Sequence, residues 1–240
     1  MLILALESTA TVASVALAED DRVLYTAQSA AGLTHSTTLL PMVESALAVC
    51  EKTVDQIDLF AATAGPGSFT GVRIGAAVLK GLAFGKNKPL VSVSTLESLA
   101  HNLTSMEGIA CAVMDARRGQ VYTALFRLKN GAVTRLTEDM ALSLEDLAER
   151  LKEYADTPIY LVGDGYGVAR SFLLEKGLPL ADTPRLLRMQ SAASTALVAL
   201  GAYQRGETTD DLSFVPTYLR MPQAERTRLA KESTATNIQN

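Results

Sequence analysis

Leu2-Ile3-Leu4-Ala5-Leu6-Glu7 and Ala110-Cys111-Ala112-Val113-Met114-Asp115 are one phrase written twice. Each is an apolar run closed by a single acid, at positions 7 and 115, which lie 108 residues apart. A short polar turn follows each acid. Then comes a second apolar run, Ser14 to Leu17 or Tyr122 to Leu125, at the same offset. Runs of this length and composition are strands, and a turn of a few polar residues between two of them makes a hairpin. The strand-to-glycine junctions recur as well, as Ala62 to Gly67 (ATAGPG) and Tyr160 to Gly165 (YLVGDG). A repeat on this scale points to duplication of a β-meander-plus-helices unit.

Working outward, Val12 to Ala18 and Val23 to Tyr25 continue the first meander, with a turn at Asp20-Asp21. Leu39, Leu40, Val43 and Leu47 recur at helical spacing and predict a helix over Ser36 to Cys50, with Thr34 or Ser36 as its N-cap. Ile57 to Ala64 reads as a strand, Val72 to Phe84 as a helix closed by Gly85, and Pro89 to Val93 as a strand. In the second half, Ile109 to Met114 and Gln120 to Arg127 read as strands, with a tight hairpin at Asn130-Gly131. Leu144 to Tyr154 is predicted helical, Pro158 to Val162 extended, and Ala192 to Arg205 an Ala-rich helix.

A duplicated strand–turn–strand with an acid closing the first strand resembles the actin/hexokinase-like architecture (ASKHA, ribonuclease H-like). This is an α/β fold of two lobes, each a mixed β-sheet flanked by helices. The expected lobes are 1–107 and 108–223, the last segment of the second packing back on the first, followed by a polar, disordered tail at 224–240. In that architecture the hairpin turns offer backbone N–H groups to nucleotide phosphates, and the acids orient a metal or a water. The resemblance therefore makes Glu7, Ser8 and Thr9 candidates for facing a nucleotide or its phosphates, and the glycine loop adds Gly65, Gly67 and Ser68. Ser8-Thr9-Ala10-Thr11 lacks the glycine usual in the kinases of the fold, which weighs against kinase activity.

Composition narrows the classes. The 240 residues carry a net charge of −4, and such a surface repels a phosphate backbone, so the chain is a poor RNA binder unaided. Arg117-Arg118 is the longest basic run. Aromatics are 5% and Trp is absent, so Ala, Leu and Val must fill the core. Cys50 and Cys111 have no metal or redox spacing and read as buried, reduced thiols of a cytosolic protein. The apolar N-terminus has no basic n-region and is interrupted by Glu7, so it reads as a strand rather than a secretory leader. No run of 18 apolar residues occurs, so no membrane span is expected.

Gly65-Pro66-Gly67-Ser68-Phe69-Thr70-Gly71-Val72-Arg73-Ile74-Gly75 is the most specific stretch. It supports two readings. One is a loop whose amides and following helix N-terminus hold an anion. The other is a structural strand-to-helix turn with close packing through Gly71, Gly75 and Ala76. The Walker pattern is absent. Ser94 and Glu97 fit a capping box. His35 reads as a helix-start contact, and His101 has no third partner for a metal. No Ser-His-Asp order is convincing.

ILALEST, THSTTLLP, GPGSFTGVRIGAAVLKGLA, VSTLESLA, DARRGQVYTALF and GDG, in this order, resemble the TsaB (YeaZ) family over about residues 1–220. The resemblance implies a non-catalytic paralogue of TsaD, the subunit that attaches threonylcarbamoyl to N6 of adenosine 37 in tRNAs. It also implies a homodimer in isolation, pairing with TsaD and the ATPase TsaE, and contact with tRNA only through the complex. In TsaD an H-x-x-x-H pair holds the catalytic metal, and its two positions fall here on Thr95 and Leu99, which cannot replace imidazole ligands. No cofactor is expected on this chain itself, with ATP or ADP placed at the interface with partner subunits, and the location is cytoplasmic. The rival readings are an independent ATP-binding, kinase-like enzyme or a peptidase. The two first-lobe helices, apolar nearly all round, are expected to present a flat patch to a second copy and to TsaD. The residues named for it are Leu39, Leu40, Val43, Leu47, Val72, Arg73, Ala76, Leu79 and Lys80.

Overall fold

The structure, a computed structural model, describes residues 1–220; the tail expected at 224–240 lies outside the described residues. The opening run forms β1 (Leu2–Glu7), which returns as β2 (Ala13–Glu19) and β3 (Arg22–Ser29). Then come α1 (His35–Val49), β4 (Leu59–Gly65), α2 (Phe69–Ala83), β5 (Leu90–Ser94) and α3 (Thr95–His101). β1 is antiparallel to β2 and parallel to β4. A parallel pairing needs a crossover, and α1 supplies it. The sheet order is β3-β2-β1-β4-β5.

The second half has β6 (Gly108–Asp115), β7 (Gln120–Lys129), β8 (Ala132–Arg135), β9 (Met140–Ser143) and α4 (Leu144–Leu151). It ends with β10 (Ile159–Val162), α5 (Tyr166–Glu175), β11 (Leu180–Ala181) and α6 (Ala192–Gln204). Read from its antiparallel edge, this sheet is β8-β7-β6-β10-β11, the order of the first sheet repeated, with β9 as an extra partner of β7. Lys129 pairs with Ala132 across Asn130 and Gly131, whose φ angles of 52° and 77° fit the two-residue hairpin turn. The molecule is a duplicated α/β fold of two lobes, each a mixed sheet flanked by helices.

The repeat corrects the sequence alignment by one residue. Leu4 lies opposite Leu17, and Cys111 opposite Leu125. The second strands therefore keep the 108-residue offset while the first strands differ by 107. A one-residue slip exchanges the two faces of a strand. The structural counterpart of Glu7 is thus Met114, and that of Ser8 is Asp115. The slip arises in the turn: six residues separate Glu7 from its partner Ser14, and seven separate Met114 from Tyr122.

Each sheet is covered on both faces. On the outer face of the first, Leu4, Leu6, Leu17 and Phe60 pack against Leu39, Val43 and Ala46 of α1 and Ala76, Leu79 and Ala83 of α2. Its inner face, built from Ile3, Ala5, Ala16 and Ala61, is covered by Ala192, Ala196 and Ala199 of α6. In the second lobe α4 and α5 cover the outer face, through Leu147, Leu151, Ala169 and Leu173. The inner face, with Ala110, Ala112 and Phe126, is covered by Leu96 and Leu99 of α3 and by Leu103 just beyond it. The last helix of each half therefore lies on the other half's sheet. The two helices meet through Ser98 and Thr195 hydroxyls 2.9 Å apart and a Ser194 Oγ–H···Oδ1 Asn102 bond of 2.6 Å. Cys111 is buried, with its thiol pushed up to about 12 by burial, while Cys50 is only half-buried; neither forms a disulfide.

Beyond α6 the chain returns to the first lobe as a strap. Leu90 and Thr209 exchange backbone hydrogen bonds of 2.9 and 2.8 Å, and the Thr217 N–H donates to Ala64 O at 2.7 Å. Phe214 sits fully within the outer core of the first sheet. Phe214→Ala should lower unfolding stability by about 3–5 kcal/mol, as for other buried aromatics cut to a methyl group. Urea denaturation read by circular dichroism checks this; a loss below about 1 kcal/mol would mean that the strap is not part of the cooperative core.

Candidate functional site

The C-terminal ends of the central strands of both sheets open on a cleft of about 570 Å³ between the lobes. Thr9, Gly67 and Phe69 line it from the first lobe, Asp115, Arg118 and Asp164 from the second, and Tyr218 from the strap. This is where the fold can hold a ligand, and where the sequence placed its nucleotide-facing candidates.

Several of the turn donors on this cleft are already engaged. Ser68 caps α2, its Oγ accepting from Gly71 N at 3.3 Å. The Ser68 N–H donates to Thr9 O at 2.7 Å. A Cβ on Gly67 would collide with Thr9 O, one on Gly71 with Ser8 O, and one on Gly75 with Ser8 Oγ. The Ser8 hydroxyl in turn donates to Gly71 O at 2.9 Å. Glycine at every fourth position is thus what lets α2 lie directly on the turn after β1. Of the two readings of this motif, the close-packed structural turn describes what is observed.

The acids act on their own turns. Glu7 Oε1 accepts from Thr9 N and Thr9 Oγ1, both at 2.6 Å. Asp115 Oδ1 accepts from Arg117 N at 2.7 Å, and its Oδ2 from Arg117 Nη1 at 3.2 Å. Glu7, Ser8 and Thr9 are buried, and the Glu7 and Ser8 side chains turn into the protein, not toward a cleft ligand. Arg117 and Arg118 adopt φ of 66° and 57°, a conformation that L residues hold at a cost of order 1–3 kcal/mol each.

Below the cleft lies a polar pocket of the interior. Glu7 is fully buried, and its Oε2 has no hydrogen-bond partner among the described residues. Thr63 stands beside it and Gln190 beside Asp164, both short of hydrogen-bond geometry. Burial pushes the Glu7 carboxyl above the usual carboxylate range against the pull of its Thr9 hydrogen bonds. Burial does the same to Asp164, helped by the nearby Asp115 charge. Among the described residues, no group of three or more His, Cys, Asp or Glu side chains is arranged to hold a metal ion. Thr95 and Leu99 are both fully buried. Leu99 Cδ1 lies 3.0 Å from where a Cβ on Gly163 would stand, so that position is taken up by packing.

Two helix starts differ from their expected caps. Thr34 stands at the N-cap of α1 without a side-chain cap bond; His35 Nε2–H anchors the helix instead, donating to Ala10 O at 2.8 Å. Ser94 caps α3 through Glu97 N, but Glu97 does not reach back. Its carboxylate pairs with Arg135 Nη2 at 2.9 Å, and Ser94 Oγ–H donates to Asp139 at 2.6 Å.

The expected patch on α1 and α2 divides in two. Leu39, Val43, Val72, Ala76 and Leu79 are buried in the first lobe itself and cannot touch a partner. The reason is helical phase: 72, 76, 79 and 83 form the stripe that sits on the sheet. Leu40 and Arg73 are exposed and Leu47 and Lys80 half-buried. Lys80 Nζ donates to Leu212 O and Phe214 O at 3.2 and 3.3 Å, holding the strap. The outward face of α2 is Thr70, Arg73, Ala77 and Gly81, which sequence reasoning missed apart from Arg73. A Cβ on Gly81 would meet nothing within 4 Å, so the fold itself does not call for glycine there. The signal was available as small residues at i, i+4 on the side opposite the core stripe.

A carboxyl with a higher pKa folded than unfolded keeps its proton longer in the folded chain. Its contribution to stability is therefore lost as pH rises above the ordinary glutamate value of 4.5 toward the folded one. Glu7→Gln retains the Oε1 acceptor and removes that loss. Its Tm relative to the parent should rise as the pH increases above 4.5; a flat difference would show Glu7 ionising at its ordinary pKa.

The family model described as "TsaD: tRNA N6-adenosine threonylcarbamoyltransferase" matches residues 28–152. The chain is 33% identical to the tRNA threonylcarbamoyladenosine biosynthesis protein TsaB of Bacillus subtilis, over 94% of this chain and 96% of that protein. It is also 33% identical to TsaB of Escherichia coli, over 78% of this chain and 80% of that one. YeaZ from Pseudomonas aeruginosa superposes with a TM-score of 0.76 at 29% identity, covering 90% of this chain and all of the other. With both halves of its duplicated fold spanned by such relatives, the chain belongs to the TsaB (YeaZ) family of tRNA threonylcarbamoyladenosine biosynthesis proteins.

Proposed function

We propose that the chain is a non-catalytic subunit of the apparatus that transfers threonylcarbamoyl from threonylcarbamoyl-AMP to adenosine 37 of tRNA. In this reading the transfer belongs to TsaD, which this chain holds in an active arrangement, and TsaE joins the pair. The carrying observation is a cleft whose reactive positions serve the fold. Thr9, Ser68, Gly71 and Arg117 amides are bonded internally, and Thr95 and Leu99 occupy buried positions where TsaD has metal-binding histidines. The described residues do not fit a transition metal. ATP or ADP belongs to the interface with partner subunits, and tRNA is reached only through the complex. No helix among the described residues is long and apolar enough to cross a membrane; in this reading the work is done in the cytoplasm, where the tRNA is.

The partner surface in this reading is the outer face of α1 and α2, centred on Leu40, Ala77 and Gly81 and flanked by half-buried Ile74 and Val78. Glycine inside a helix costs about 1 kcal/mol relative to Ala. At Gly81 nothing among the described residues repays that cost, whereas a second helix approaching closely would. The same face serves a homodimer in isolation and TsaD in the complex, so the two associations compete. Gly81→Leu should leave circular dichroism and Tm unchanged or slightly improved. It should weaken both homodimer and TsaD complex at least about tenfold in sedimentation, and lower tRNA modification in a reconstitution with and without this chain. Undiminished modification without the chain would overturn the subunit role, and unchanged association would move the interface elsewhere.

A further inference from the structure

We infer that the polar pocket below the cleft is a site for one hard divalent cation, Ca2+ or Mg2+, held by the carboxylates of Glu7 and Asp164 with the side-chain oxygens of Thr63 and Gln190.

Four segments bring these side chains together. Leu6 pairs with Ala62, so the next residues, Glu7 and Thr63, stand side by side on neighbouring strands. They continue the inner-face rows of Ile3 and Ala5 and of Leu59 and Ala61, and so point between the lobes. Ser14 lies on the other side of Glu7. Its Oγ accepts from Ala192 N at 3.1 Å, which brings Gln190, two residues earlier, to the same end of the sheet. The second lobe enters through Gly163, whose N–H donates to Arg188 O at 2.7 Å. Asp164 is the next residue, and its carboxyl stands beside the Gln190 amide. The Asp164 charge reaches Glu7 as well, adding to the larger effect of burial on that carboxyl.

The pocket is short of positive charge. Glu7 Oε2, Asp164 Oδ1, Thr63 Oγ1 and both amide atoms of Gln190 are buried without a hydrogen-bond partner among the described residues. Glu7, Thr63 and Gln190 are at most 1% exposed. Each buried polar atom left in this state costs about 1–3 kcal/mol, so the pocket calls for an occupant. Among the described residues no Lys, Arg or His pairs with Glu7 or Asp164. Water supplies hydrogen bonds but no net charge, and two buried carboxylates need a counter-charge.

The chemistry of the set selects the ion. Every ligand is an oxygen, with neither thiolate nor imidazole, which favours a hard cation over a transition metal. Two carboxylates balance a divalent charge. Asp164 also lines the cleft, which gives the ion its entry path and the water that completes its shell. Because Glu7 belongs to the first lobe and Asp164 to the second, the bound ion ties the lobes together.

Thermal unfolding of the full chain, first stripped with EDTA, tests this. Millimolar CaCl2 or MgCl2 should raise Tm above that in choline chloride of equal ionic strength. Equilibrium dialysis with radioactive calcium should find one ion per chain. Glu7→Gln and Asp164→Asn keep the shape of each side chain and remove its charge, and each should raise the Kd for the ion at least about tenfold. Thr63→Val, which alters no charge, should raise it by a smaller factor and gives a further reading if a charge variant does not fold. Three results would each overturn the site: no shift in the parent, a shift that NaCl reproduces at equal ionic strength, or folded variants that bind as the parent does.

Discussion

The approach of α2 to the turn after β1 is the constraint on which the rest of this structure depends. No methyl group fits at Gly71 or Gly75, because Ser8 occupies the space. Contact between a helix backbone and a turn backbone fixes distance and rotation together, since there is no flexible side chain to take up slack. The rotation decides that 72, 76, 79 and 83 face the sheet and that 73, 77 and 81 face outward. The distance brings the Ser68 and Thr9 backbones to 2.7 Å and so commits the donors of the cleft. One packing decision thus shapes both the cleft and the outward face of α2.

A second constraint ties the lobes together. α3 and α6 each follow the last strand of one half and cover the inner sheet face of the other. The inner faces are rich in Ala because a helix and a second helix must both fit between two sheets, and small side chains let them approach. Arg135 reinforces the exchange: it reaches Glu97 of α3 at 2.9 Å and Asp139 at 2.7 Å while lying over the Phe126 ring at 4.7 Å.

The repeat, the meanders, and the strongly periodic or glycine-bounded elements were legible from residue order. Their signals are local: apolar runs, turn residues, caps. What was not legible was phase. Placing Glu7 beside Asp115 aligned two acids by chemistry, yet one points inward and the other toward the cleft rim, because a turn one residue longer flips the strand face. The same ambiguity hid the fate of Leu39 and Val43. In a helix apolar nearly all round, composition does not say which stripe is core, and only contact with the sheet decides it. The helix Tyr166–Glu175 escaped notice for a related reason. It begins at Gly165 without a side-chain cap, so its start carries no sequence signature. In the candidate site, the glycine motif was readable as close packing, while the commitment of each turn amide required the fold.

The cleft and the outer face are one structural unit. Phe69 and Tyr218 line the cleft, and the same two rings hold Arg73 in place on the outer side of α2. Lys80, one turn beyond Ala77, grips the strap that carries Tyr218. A protein docked on α2 therefore bears on the cleft wall through a stack a few ångströms thick and not through a long chain of weak contacts. Short, packed connections of this kind transmit displacement because the interior has little free volume to absorb it. The Phe69–Tyr218 stack thus stiffens the cleft wall and the outward side of α2 together.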